Sequence, residues 1–271
     1  MLGVRGSTPA PGPQFVRYGG HTSCVAITPE GGDRPTLVLD AGTGLRSLTG
    51  LLGGEAFDGS IVLSHLHWDH MMGLPFFSAG DREAAHVDLY VPQQDGLSGR
   101  DLLAQTLSPP AFPIPPEGLH GSWAFHGLTD GRHEIRGFSV TAIDVQHKGG
   151  RTFGLRVEDE RGSLVYLPDH APAAGMSAEL TAVLSGVDVL IHDAQFLETE
   201  RAVAEDYGHA TVEDSLKLGR HCHAGTVVLF HHSPIRTDAA LDEIAAWAPA
   251  VIQGLEVVVA REGMTLDAVG S

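Results

Sequence analysis

Cysteine is nearly absent from this chain. Its two thiols, Cys24 and Cys222, in 271 residues are too few for a disulfide framework and stand apart from other soft ligands, so both read as buried thiols. Long apolar runs are missing too. No stretch approaches the roughly 18–20 residues that cross a bilayer, and Met1-Leu2-Gly3-Val4-Arg5 carries no signal-peptide core, which predicts a cytoplasmic protein with no membrane partner. Basic residues are scarce: 17 Lys and Arg stand against 34 Asp and Glu, a formal charge of −17. Non-specific nucleic-acid binding rests on Lys and Arg neutralising phosphates. The balance therefore disfavours a nucleic-acid partner and tilts toward a small substrate, although bound divalent cations would offset acidic ligands locally. No Pro/Gly/Ser linker, charge block or internal repeat divides the chain, which predicts one domain over residues 1–271.

Short β-branched runs do recur, separated by Gly-rich turns: 24–27, 36–39, 61–63, 87–91, 138–143, 153–157, 164–167, 187–191, 226–230 and 255–259 all read as strands. Helical spacing predicts helices over 177–184, 211–222 and 237–247, with a weaker one over 99–107. Thr211 and Thr237 sit at N-cap positions, and Asp214 completes a capping box with Thr211. The proline-rich segment 108–116 forbids a helix and reads as an extended loop, either a passive connector or a rim over the active site. Strands in two successive halves, with sheets too apolar to face water on both sides, imply paired sheets covered by helices, an αββα layering of the α/β (α+β) class.

Histidine is what the chain has in excess, 16 in all. His65-Leu66-His67-Trp68-Asp69-His70 gathers three imidazoles and a carboxylate directly after Ile61-Val62-Leu63, and packing offers no reason to collect so many ionisable groups. On a strand, alternation would turn His65, His67 and Asp69 toward one cation and His70 toward a neighbouring position. This donor set suits zinc, manganese or iron. A two-metal hydrolytic site needs more ligands, one of them a carboxylate able to bridge. Three later apolar runs end in candidates: His147, Asp169 and His231. His232 adjoins His231, but alternation sends the two to opposite faces. Asp40, in Leu39-Asp40-Ala41-Gly42-Thr43-Gly44, lacks a Walker lysine and reads as a carboxylate supporting metal histidines.

The H-x-H-x-D-H run, followed by His147, Asp169 and His231, resembles the metallo-β-lactamase superfamily of binuclear metallohydrolases over nearly the whole chain. The resemblance implies a four-layer αββα sandwich with the site at the shared edge of its sheets. It implies that His65, His67 and His147 hold one divalent ion, that Asp69, His70 and His231 hold the other, and that Asp169 bridges them. Leu2-Gly3-Val4-Arg5-Gly6-Ser7-Thr8-Pro9, Ile191-His192-Asp193-Ala194-Gln195-Phe196 and Gly208-His209-Ala210-Thr211 are similar to segments of the phosphodiesterase and ribonuclease Z branch. Asp193 and Gln195 stand where ribonuclease Z motifs carry Glu and Thr, and no long Gly/Pro-rich arm for clamping tRNA is present.

The implied function is a phosphodiesterase acting on a small or cyclic phosphodiester. Two cations a few ångströms apart would lower the pKa of a bridging water from about 15.7 toward 7, making a hydroxide nucleophile available. Asp69 would hold or accept the nucleophile's proton. His192, oriented by Asp193 or another carboxylate, and His209, beside the start of a helix, compete as the donor to the leaving alkoxide. Arg5, His21, Lys148 and Arg151 are the nearest substrate contacts. Zinc is the expected metal, with manganese or iron as alternatives. A carboxyl-ester, lactone, thioester or β-lactam hydrolase, a ribonuclease Z-like endonuclease and a non-catalytic metal-binding protein stay open as alternatives, as does a homodimer.

Overall fold

Hydrophobic side chains alternate between two faces along almost every strand, and that alternation sorts them into three separate cores. The computed structural model describes residues 1–268, so the last three residues of the expected 1–271 span lie outside the described residues. The first half contains β1 (Val25–Ile27), β2 (Leu37–Leu39), α1 (Leu48–Leu51), β3 (Asp58–Val62), α2 (Trp68–Met71), β4 (His86–Pro92), α3 (Gly99–Ala104) and β5 (Ser122–Leu128). The second contains β6 (Gly131–Ile135), β7 (Phe138–Val145), β8 (Thr152–Glu158), β9 (Ser163–Leu167), α4 (Ala178–Leu184) and β10 (Val189–Asp193). It continues with α5 (Arg201–Tyr207), α6 (Val212–His221), β11 (Thr226–Phe230), α7 (Asp238–Val251) and β12 (Glu256–Val259).

One sheet has the order β1-β2-β3-β4-β5 and the other β12-β11-β10-β9-β8-β7-β6. Within the first, β2 to β5 run parallel; within the second, β9 to β12 run parallel and β6 to β9 antiparallel. Leu37, Leu39, Val62, Ile191, Val228 and Phe230 pack between the sheets. Their strand neighbours point outward: Val38 and Ile61 pack under Leu48, Leu102 and Leu103, and Leu190, Val227 and Leu229 under Leu180, Leu216 and Leu241. Alternate residues of one strand thus serve different layers, and the result is the αββα sandwich.

Two strands escape the sequence reading. β5 and β6 close the ends of their sheets, and such edges carry polar, half-exposed residues that weaken the hydrophobic alternation. α5 is also unannounced, because Ala204 alone among its residues is buried. The helices over 178–184, 212–221 and 238–251 form where the spacing predicts, each opened by a Ser or Thr side chain accepting a backbone N–H. No helix among the described residues is long and apolar enough to cross a membrane.

Candidate metal centre

The histidine motif is not a strand end. β3 stops at Val62, the chain then runs irregularly, and His67 becomes the N-cap of α2 with φ −67° and ψ 150°. Asp69 and His70 therefore sit in a helical turn, one step apart around the axis, which corrects the expectation that alternation groups Asp69 with His65 and His67. The turn is docked on the segment after β2: Ala41 N–H donates to His70 O at 2.7 Å and Gly73 N–H to Ala41 O at 2.8 Å.

Asp169, one residue beyond the Pro168 that follows β9, meets both halves of the motif, each with a different oxygen. Its Oδ2 lies 3.5 Å from His65 Nε2 and 3.3 Å from His147 Nε2, and His147 Nε2 lies 3.2 Å from His67 Nδ1. Its Oδ1 lies 3.2 Å from His70 Nε2 and 3.1 Å from His231 Nε2. Asp69 Oδ2 completes the second group, 3.2 Å from His70 Nε2 and 3.1 Å from His231 Nε2. A tetrahedral ion with bonds near 2.0–2.1 Å keeps its ligand atoms about 3.3 Å apart. Both groups have that spacing, and His65 Nε2 and Asp169 Oδ1 are buried without a hydrogen-bond partner, as atoms reserved for a cation would be.

The opposite ring nitrogens of His147, His70 and His65 are committed, which leaves their lone pairs facing the two groups. His147 Nδ1 donates to Gly208 O at 2.7 Å and His70 Nδ1 to Asp40 Oδ2 at 2.6 Å. His65 Nδ1 is 3.0 Å from Ser64 Oγ, which donates to Asp40 Oδ2 at 2.8 Å, and Tyr166 OH donates to the same oxygen at 2.9 Å. Ser7 N–H donates to Asp69 Oδ2 at 2.7 Å. Such outer bonds fix tautomer and ring orientation. Ser7, Asp40 and His231 all adopt φ near 60° (61°, 57° and 56°), left-handed backbone at three residues that supply or support the donors.

Carboxylates and burial pull the imidazoles in opposite directions. Burial opposes protonation of His70, yet the carboxylates of Asp69, Asp169 and Asp40 hold it well above the ordinary histidine value. Burial and neighbouring imidazoles hold His65 well below that value, and burial lowers His67 and His147. Burial would raise Asp169, but His231, His70 and His65 keep it well below the usual carboxylate range. Imidazole nitrogens with two carboxylates in a buried, cation-seeking pocket fit a pair of divalent ions.

The two candidate proton donors part company. Along β10, Leu190 faces the helices and Ile191 the other sheet, so His192 follows Leu190. It contacts Ser215 Oγ at 2.8 Å and His170 Nδ1 at 3.0 Å, fully buried, and burial lowers it to about 4. The structure does not bring it to the donor cluster, and strand alternation prevents Asp193 from orienting it. Asp193 Oδ2 instead accepts from His209 Nδ1 at 2.8 Å. The His209 ring lies 4.9 Å from that of His147 and 5.3 Å from that of His231. Burial opposes its charge, but Asp193, with Asp169 and Asp69, pushes it up to about 9.

The expected substrate contacts are mostly occupied. Arg5 is fully buried and donates to the carbonyls of Gly19, Ser233 and Arg236, so it braces loops. Lys148 bonds Asp206 O and Arg151 bonds Asp144, while His21 Nδ1 lies 3.3 Å from Thr43 Oγ1. His232 turns away and contacts Ala260 O at 2.9 Å. Ser7, Ser64, Tyr166 and the Gly208 carbonyl were not singled out as supports from sequence. Only Ser64, adjacent to His65, leaves a local signal; a backbone amide or carbonyl leaves none.

Residues 36–232 match the family described as "Beta-lactamase superfamily domain". The chain is 26% identical over 249 residues to ribonuclease Z of Shouchella clausii, covering 71% of this chain and 76% of the relative. It is 26% identical over 279 residues to ribonuclease Z of Nocardia farcinica, covering 84% and 87%. Among solved structures it is similar to the metallo-beta-lactamase fold protein YhfI from Bacillus subtilis (TM-score 0.73, 19% identity, 98% and 97% of the two chains). It is also similar to the short form of human tRNase Z (0.66, 20%, 98% and 97%) and to a diphosphatase from the PhnP family (0.62, 18%, 99% and 97%). These likenesses carry the fold.

Proposed function

The chain belongs to the beta-lactamase superfamily, and we propose that this metal-dependent hydrolase cleaves a small or cyclic phosphodiester with two zinc ions. His65, His67 and His147 would hold one ion and Asp69, His70 and His231 the other, with Asp169 shared between the two groups. The observation that carries this reading is the division of Asp169, with Oδ2 turned to the first group and Oδ1 to the second. When bound, such a pair supplies Lewis-acid stabilisation of charge developing at phosphorus and acidifies water at the site.

The side chains supply the rest. Asp69, held by the Ser7 N–H, directs and accepts the proton of the attacking water. His209 borders both donor groups and gives its Nε2 proton to the leaving oxygen, while Asp193, accepting from Nδ1, stabilises the charged ring and aims it. His192, closed off behind β10, takes no part in proton transfer.

A small substrate is supported by charge. Lys148, Arg151 and Arg236, the basic side chains flanking the centre, are tied to Asp206, Asp144 and Glu200, in a chain of net charge −17. Little is left to neutralise a run of RNA phosphates. The ribonuclease Z relatives favour endonucleolytic cleavage of an RNA as the second reading. The test is a panel on zinc-loaded protein: bis(p-nitrophenyl) phosphate, a cyclic mononucleotide, a precursor tRNA, a lactone, a thioester and a β-lactam. Turnover is expected on the first two, with Asp169→Ala abolishing it and lowering zinc content from about two per chain. Turnover confined to the carboxyl compounds would overturn the proposal, and turnover confined to the tRNA would install the second reading.

A further inference from the structure

Next to the centre, two buried polar atoms have no hydrogen-bond partner: His231 Nδ1 and Gln195 Oε1. His231 Nε2 lies 3.1 Å from both Asp69 Oδ2 and Asp169 Oδ1. A cation there takes the Nε2 lone pair, so the ring proton must reside on Nδ1. A buried N–H without an acceptor costs about 1–3 kcal/mol, and a ring without an outer bond is free to swivel.

An oxygen close by with no donor of its own belongs to Gln195, a residue only 5% exposed. Gly6 fits between the two. A Cβ on Gly6 would stand 2.5 Å from His231 Nδ1 and 2.7 Å from Gln195 Oε1, so the two atoms are no farther apart than those distances laid end to end. The absence of a side chain at residue 6 is what leaves the path between them clear. The other end of the same amide points toward the second carboxylate. Gln195 Nε2 donates to Ser7 Oγ at 3.0 Å, and Ser7 N–H donates to Asp69 Oδ2 at 2.7 Å. The amide is itself held by its backbone, where Gln195 N–H donates to Asp193 Oδ1 at 3.1 Å.

We propose that Gln195 is a positioning residue for the ion held by Asp69, Asp169, His70 and His231. The two unpaired atoms need only a small approach for Oε1 to accept the Nδ1 proton of His231, while Gln195 Nε2 steadies Ser7 and through it Asp69. This rests on the two-ion reading above. The polarity of the amide matters: oxygen toward the imidazole N–H and nitrogen toward the serine oxygen is the one orientation that serves a ring ligating through Nε2.

The test reads metal, not turnover. Zinc-loaded wild-type, Gln195→Ala and Gln195→Glu proteins are dialysed against graded chelator and assayed for zinc, and the cobalt-substituted forms are compared by visible absorption. The wild type should keep two ions. Gln195→Ala should release one of them at 10–100-fold lower chelator strength, the usual effect of losing such a support, with an altered cobalt spectrum and the other ion retained. Gln195→Glu, which preserves an acceptor at the same reach, should restore retention. Gln195→Ala holding both ions as tightly as wild type, or Gln195→Glu failing to restore them, would overturn the proposal. A wild-type protein that keeps fewer than two ions would sink the two-ion reading and this proposal with it.

Discussion

In the proposed mechanism, Asp169 and His209 divide the chemistry of the centre between a charge that never moves and a proton that must. Asp169 is buried among imidazoles that keep it ionised. His209 is kept protonated by Asp193, against burial, up to about 9. The sign follows: a general acid works in its protonated form, so turnover of an alkyl phosphodiester should be level through neutral pH and fall as pH rises through about 9. His209→Ala should remove that limb and cost 10²–10⁴-fold on an alkyl leaving group, but far less on p-nitrophenolate, which leaves without a proton. Equal losses on both substrates would mean that His209 only shapes the site. The seven candidate ligands were legible in the sequence because His and Asp at apolar run ends have few other reasons to be there. The choice between His192 and His209 was not. It depends on which face of β10 looks toward the centre, and on Asp193 reaching across 16 residues of chain to His209.

α2 is too short to stand alone; a helix of four residues has no stability without its dock. It holds Asp69 and His70 in place because Gly73 lets it lie directly on the segment after β2. A Cβ at Gly73 would meet Gly42 O at 2.1 Å and Ala41 O at 2.7 Å, and backbone oxygens cannot step aside. Gly73 has ordinary helical φ −79°, so the objection to a side chain is contact alone. Gly73→Ala should therefore destabilise by about 1–3 kcal/mol in urea unfolding and weaken retention of the ion at Asp69 and His70. Gly50→Ala, in α1 with nothing within 4 Å of the added carbon, should be neutral or stabilise by up to about 1 kcal/mol. Equal effects of the two would refute the docking argument. The motif's residue types announced a metal, but not that it spans a loop and a helical turn, since local alternation and helical pitch are indistinguishable over six residues.

Across the molecule, neutral histidines lie buried beyond the centre. Burial lowers His192 to about 4, and His170 and His232 to about 3, from an ordinary 6.5. Unfolded chains bind protons on these groups as pH falls below about 6.5, while the folded protein does not until about 3–4. Stability is thus fully present above 6.5 and is lost as pH falls through that window, each group contributing up to about 1.4 kcal/mol per pH unit. His232→Asn should flatten the decline in urea midpoint between pH 6.5 and 4.5 relative to wild type; an unchanged slope would show that His232 does not contribute. The layering and the donor types could be read from the chain itself, because strand alternation, helix spacing and ligand chemistry are local properties. Which donors stand together, which oxygen of Asp169 faces each group, and which of His192 and His209 lies beside them were decided only in three dimensions. Those outcomes depend on angles at strand ends and on backbone groups brought together from opposite halves of the chain, and side-chain identity encodes neither.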